Sequence, residues 1–138
     1  LSQSDLPEYE VLRIKAIERF QMAELALNNS EGTDPLYEQM VENCHFGLEL
    51  IMKALIAKEG SVYPRVHNLL ILSNHRIAGV KFLHNKLTSD RNMLPLWLKI
   101  SVLWDTNKRY EFLDADPMDY DDYYDAYYRI YKWMLNKF

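Results

Sequence analysis

Cysteine occurs once in this 138-residue chain, at Cys44. A single thiol cannot form an internal disulfide or a cysteine metal site, so a reducing cytoplasm is the expected compartment. Glycine and proline are scarce, with four and five copies, and fall mostly where apolar periodicity stops. That distribution predicts few, long helices. No apolar run approaches the ~18 residues of a membrane span. The stretch LSQSDLPEYE lacks a basic-then-apolar signal pattern. Excess positive charge is also missing: the net charge is −4. Gripping nucleic acid by bulk electrostatics is thereby disfavoured, although a small basic cleft is not. No period-2 strand pattern, repeat or low-complexity linker stands out.

What is present is helical register. The length fits one domain, residues 1–138, with one core. A first helix is predicted from Pro7 to about Leu27, with Leu12, Ala16, Phe20, Ala23 and Leu27 on one face. A second, over about 35–59, opens at TDPLYEQM with a cap and a first-turn proline. Tyr37, Met40, Val41, Cys44, Leu48, Ile51, Met52 and Leu55 form its main stripe, while Phe46, Leu50 and Ala57 lie opposite. A helix apolar on two faces is expected at the centre of the fold, covered from both sides. HNLLILSNH reads as a short helix and residues 75–92 are ambiguous. A third long helix is predicted over Leu94–Trp104, and a last one from Asp116-Pro117. The last carries a stripe of Tyr120, Tyr124, Tyr127, Tyr131, Met134 and Phe138. Its many aspartates suit the positive N-terminal end of that helix better than a cation site. The fold class is therefore all-α, an up-and-down bundle of four to five helices.

The residues with chemical potential are few. Glu49 and Lys53 stand at i and i+4, a spacing that stabilises a helix by ~0.2–0.5 kcal/mol. They also lie near His45, so a polar trio at a cleft is the competing reading. His67 follows a proline-containing connector, and anchoring that connector is its plain role. No histidine pair has ligand spacing, so no metal and no cofactor are expected. Lys108, Arg109 and Tyr110 form the only local basic pair with an aromatic neighbour. Guanidinium forks match phosphate oxygens, and salt bridges to nearby acids are the alternative.

AIERFQMAELAL (Ala16–Leu27), ELIMKAL (Glu49–Leu55), HNL (His67–Leu69) and RY (Arg109–Tyr110) follow in that order. Together they resemble the HEPN domain. The resemblance covers residues 11 to 112 and implies an all-α core of about four helices. It also implies one of two roles, a metal-independent RNase or the partner of a minimal nucleotidyltransferase, with nucleotide or RNA as ligand and toxin–antitoxin or defence as setting. Nuclease members of that family carry an arginine, four to six residues, then a histidine, paired across a dimer. Here Tyr110, Glu111, Phe112, Leu113, Asp114, Ala115 and Asp116 follow Arg109, with no histidine. The resemblance thus points to a nucleotide- or RNA-associated binding or partner domain. Cleavage is expected to be weak or absent, because the arginine lacks a neutral-pH proton carrier beside it. An atypical RNase and a plain interaction dimer are the alternatives. Arg109, Lys108, Tyr110, Glu49, Lys53 and His67 are the candidate ligand residues.

The second and last helices carry more apolar surface than one small bundle hides, which predicts a homodimer. Light scattering at ~100 μM should give twice the chain mass, well above what a ~μM dimer requires. A monomer at that concentration would contradict it.

Overall fold

The carbonyl of Pro7 accepts the N–H groups of Glu10 and Val11 at 3.0 and 3.2 Å, and a helix starts on it. The computed structural model describes residues 5–28, 34–77, 79–103 and 120–138. Six helices form among them: α1 (Glu8–Asn28), α2 (Asp34–Lys58), α3 (Leu69–Ser73), α4 (Phe82–Ser89), α5 (Met93–Ser101) and α6 (Tyr120–Leu135). The described residues hold no strand, only an isolated bridge between Ile77 and Val80. The fold is all-α.

α2 is the central element. Met40, Val41, Cys44, Leu48, Ile51, Met52, Leu55 and Ile56 are all essentially inaccessible. α1 packs along it most extensively, and α6 and α3 add further cover. Burial pushes the Cys44 thiol well up from its ordinary range, so it behaves as a small core side chain. The second apolar face is covered only in part. Phe46 remains 42% exposed, and Leu50 and Ala57 are half-buried. The expectation that α2 is packed on both sides therefore holds for one face, and the other opens onto a groove.

Helices α1 and α2 approach closely at Gly47. A Cβ there would lie 2.5 and 2.6 Å from ring carbons of Phe20 on α1. Phe20 cannot easily yield, because its ring is stacked on Tyr131 of α6 at 4.0 Å. A second stack, Tyr37 on Tyr120 at 4.0 Å, ties the start of α2 to the start of α6. The tyrosine stripe of α6 is accordingly part of the core: Tyr120, Tyr127 and Tyr131 are buried. Tyr124 is half-buried, and its hydroxyl is pushed up to about 12 by burial, then by the carboxylate of Glu24.

Gly60 ends α2 at φ 83°. Its N–H donates to Ala57 and that of Ser61 to Ile56, the paired bonds of a left-handed helix stop. The connector then crosses to α3, capped by Asn68, whose side chain accepts from the Ile71 N–H. The ambiguous stretch resolves into α4, which raises the helix number above four or five. α5 is shorter than predicted, nine residues from Met93. The predicted start of the last helix at Asp116-Pro117 lies outside the described residues.

Gly47→Ala should destabilise the fold by ~1–3 kcal/mol, as overpacking does. The expected loss in melting temperature is roughly 3–10 °C. An unchanged melting curve would show that Phe20 can move aside.

Candidate functional site

His45, Glu49 and Lys53 recur every four residues on α2 and share a face. All three are buried, at 6%, 3% and 8% exposure. A charge so placed needs partners, and the geometry provides them. The Lys53 ammonium donates to Glu49 Oε2 at 3.0 Å. His67 Nδ1 lies 3.2 Å from Oε1 and 3.1 Å from Oε2 of the same carboxylate. His45 Nε2 approaches the His67 carbonyl at 3.4 Å, which fixes the backbone that carries the imidazole. The Glu49–Lys53 pair is therefore not a solvated helix ion pair. It is the buried end of a network that reaches the surface through His67.

His67 itself is not buried. Its side chain is 81% exposed, against 5% for Glu49. It meets the middle of α2 rather than a helix end. An ionised carboxylate only accepts hydrogen bonds, so Nδ1 is the donor. In the neutral ring the lone pair then falls on Nε2 of this largely exposed side chain. The connector is pinned a second time at Tyr63, whose hydroxyl donates to Glu8 Oε1 at 2.7 Å. Its ring lies 5.7 Å from the Lys53 ammonium.

Glu49 also lines a groove of about 450 Å³ between α1 and α2, within the range of small-ligand sites. Lys15, Glu18 and Arg19 of α1 form one wall and Phe46 and Leu50 of α2 the other. The Arg19 guanidinium sits 5.5 Å over the Phe46 ring and donates to Asn43 Oδ1 at 3.2 Å. A second groove, about 380 Å³, is lined by Glu8, Tyr9, Ser61, Tyr63 and Arg65. The structure thus brings Glu49, Lys53 and His67 together. Lys108, Arg109 and Tyr110 lie outside the described residues.

Sequence reasoning missed Lys15, Arg19 and Phe46 as a group. Phe46 was legible as an apolar residue on the wrong side of α2. The pairing of Lys15 and Arg19 at i and i+4 was also visible, but cations at that spacing ordinarily mark a solvated face. Only the packing of α1 on α2 shows that Arg19 lies over the Phe46 ring and that Lys15 borders the same groove.

Replacing Glu49 by Leu should cost ~3 kcal/mol or more, because Lys53 is left without its counter-charge. Adding Lys53→Met should recover most of that loss, since it removes the stranded ammonium. Urea unfolding of the two single variants and the double variant checks this, and simple additivity would contradict the buried-pair account.

The HEPN domain family model matches residues 9–136 of the chain. No curated protein and no solved structure matches it. No described helix is long and apolar enough to cross a membrane. The family match spans α1 to the last residues of α6 and agrees with the all-α architecture and the motif order. On that match the chain belongs to the HEPN domain family.

Proposed function

We propose that this HEPN domain binds a nucleotide or a short stretch of single-stranded RNA in the α1–α2 groove. It works as a binding or partner subunit without the usual Arg-x(4–6)-His pair. The observation that carries this reading is the juxtaposition of Lys15 and Arg19 with the partly exposed ring of Phe46 along one groove. Phosphate oxygens suit the two cations, and a base suits the ring. Glu18, on the same wall, offers an acceptor for a base amine or a ribose hydroxyl. The acidic net charge does not oppose this, because a short ligand meets the local groove rather than the summed surface. Arg109, Lys108 and Tyr110 belong to the same reading as further phosphate and stacking contacts. A minimal nucleotidyltransferase is the proposed partner, in a toxin–antitoxin or defence setting. The proposed cytoplasmic homodimer draws support from exposed apolar side chains, such as Val62 at 88% and Leu98 at 58% exposure.

Fluorescence anisotropy of a labelled single-stranded RNA at low salt tests the reading. Binding is expected, and Lys15→Ala with Arg19→Ala should weaken it at least ~10-fold, since charge-assisted bonds contribute ~1.5–3 kcal/mol each. The slope of log affinity against log salt should fall by about 1.4, at ~0.7 per lost single-strand phosphate contact. Absence of binding at low salt, or affinity indifferent to both substitutions, would rule out the groove.

A further inference from the structure

The face of α3 that turns away from the core is apolar, where solvent alone would call for polar side chains. Leu69 and Leu72 are fully buried, whereas Leu70 and Ile71 between them stand 45% and 51% exposed. With Pro64 of the connector, Leu70 and Ile71 line an open groove of about 610 Å³, edged by Asn74, His75 and Arg76. We infer that this groove docks an acidic amphipathic helix of a partner protein, with its apolar side chains seated on Leu70 and Ile71 and its carboxylates toward Arg65 and Arg76. No residue of the α1–α2 groove lines this one, so the two sites stand or fall separately.

Charge sets the sign of the occupant. The chain has a net charge of −4, yet residues 61–89 hold Arg65, Arg76, Lys81 and Lys86 and no aspartate or glutamate. Arg65 and Arg76 are exposed, and among the described residues neither meets a carboxylate. Arg76 donates instead to the Gly79 carbonyl at 3.0 Å. That bond steadies the guanidinium and leaves most of its donors open. A guanidinium fork beside an exposed apolar pair suits a carboxylate beside an apolar anchor.

Shape sets its class. A concave apolar site is filled by side chains that protrude, which is how an amphipathic helix seats its i, i+3, i+4 and i+7 residues. A bilayer presents a plane, and interfacial anchoring favours aromatic side chains, of which this groove has none. The same lack of rings removes the stacking platform that single-stranded nucleic acid uses. This chain's own acidic helix, α6, is a poor occupant, because its apolar stripe is already buried and α6 packs on α2 and α5.

The floor of the groove is also held in place before anything binds. A five-residue helix has little stability of its own. Three side-chain bonds compensate. Asn68 Oδ1 accepts the Ile71 N–H at 3.0 Å, and the Leu70 carbonyl accepts Ser73 Oγ and Asn74 Nδ2, both at 2.8 Å. A surface ordered in advance loses less entropy on docking.

The test uses the purified full chain and three synthetic helical peptides that share leucines at i, i+3, i+4 and i+7. Their remaining positions are all glutamate, all glutamine or all lysine. Calorimetric titration at low salt should rank them in that order, with at least ~10-fold between the glutamate and lysine peptides. Leu70→Ser combined with Ile71→Ser should weaken the glutamate peptide at least ~10-fold, because the buried aliphatic area is lost. Arg76→Gln should narrow the gap between the glutamate and lysine peptides. These positions are exposed, so both variants should keep the melting curve of the unmodified protein. No binding of the glutamate peptide, equal binding of all three, or an affinity indifferent to both variants would overturn the docking site. Binding to phosphatidylserine vesicles, or self-association, that disappears in the Leu70→Ser, Ile71→Ser variant would assign the face to a membrane or to a second copy and would overturn it too.

Discussion

A carboxylate buried in the central helix has to be answered by charge or by hydrogen bonds, and much of this structure is arranged around answering Glu49. An unpaired ionised group in an apolar setting is among the most costly things a small domain can contain. Lys53 neutralises it from one turn further along the same helix. His67 completes the coordination from a different segment. The path of the connector after Gly60 follows from that requirement. It must bring residue 67 back over the middle of α2, and the His45 contact to the His67 carbonyl and the Tyr63 contact to Glu8 hold it there.

The groove beside this network has its own physical origin. Gly47 lets α1 and α2 approach until Phe20 lies against the α2 backbone, and Tyr131 stacks on that ring. Phe46, next in sequence, is turned away from that seam and left 42% exposed. Arg19, next to Phe20, is brought over it. One close helix crossing therefore produces both a tight core contact and an aromatic–cationic edge. The buried carboxylate and this edge meet because Glu49 is two residues from Gly47 on one side and borders Leu50 on the other.

Much of the fold was legible because it depends on periodicity and on punctuation. Helices α1 and α2 lie within a residue or so of where Pro7, the NNSEG stretch and Gly60 place them. α4 was not legible, since Phe82, Leu83 and Leu87 make too short a stripe to separate from the turn at Gly79. The site was half legible. Glu49, Lys53 and His67 could be named from family motifs and helix spacing. That the first two are buried and the third exposed depends on tertiary packing, which local spacing does not encode. Arg19 was hidden for the same reason: only the partner helix shows a cation lying over a ring. Charge and aromatic character also picked out the Lys108–Tyr110 segment, but no described geometry bears on it.

The central claim is that a buried carboxylate fixes the protonation pattern of an exposed histidine. Long-range nitrogen–proton NMR of the neutral imidazole rings reads that pattern directly. The account predicts that His67 carries its proton on Nδ1, and that Glu49→Gln weakens this preference in a chain that remains folded. Free exposed histidine in water favours the proton on Nε2. Finding His67 in that form in the unmodified protein would contradict the claim.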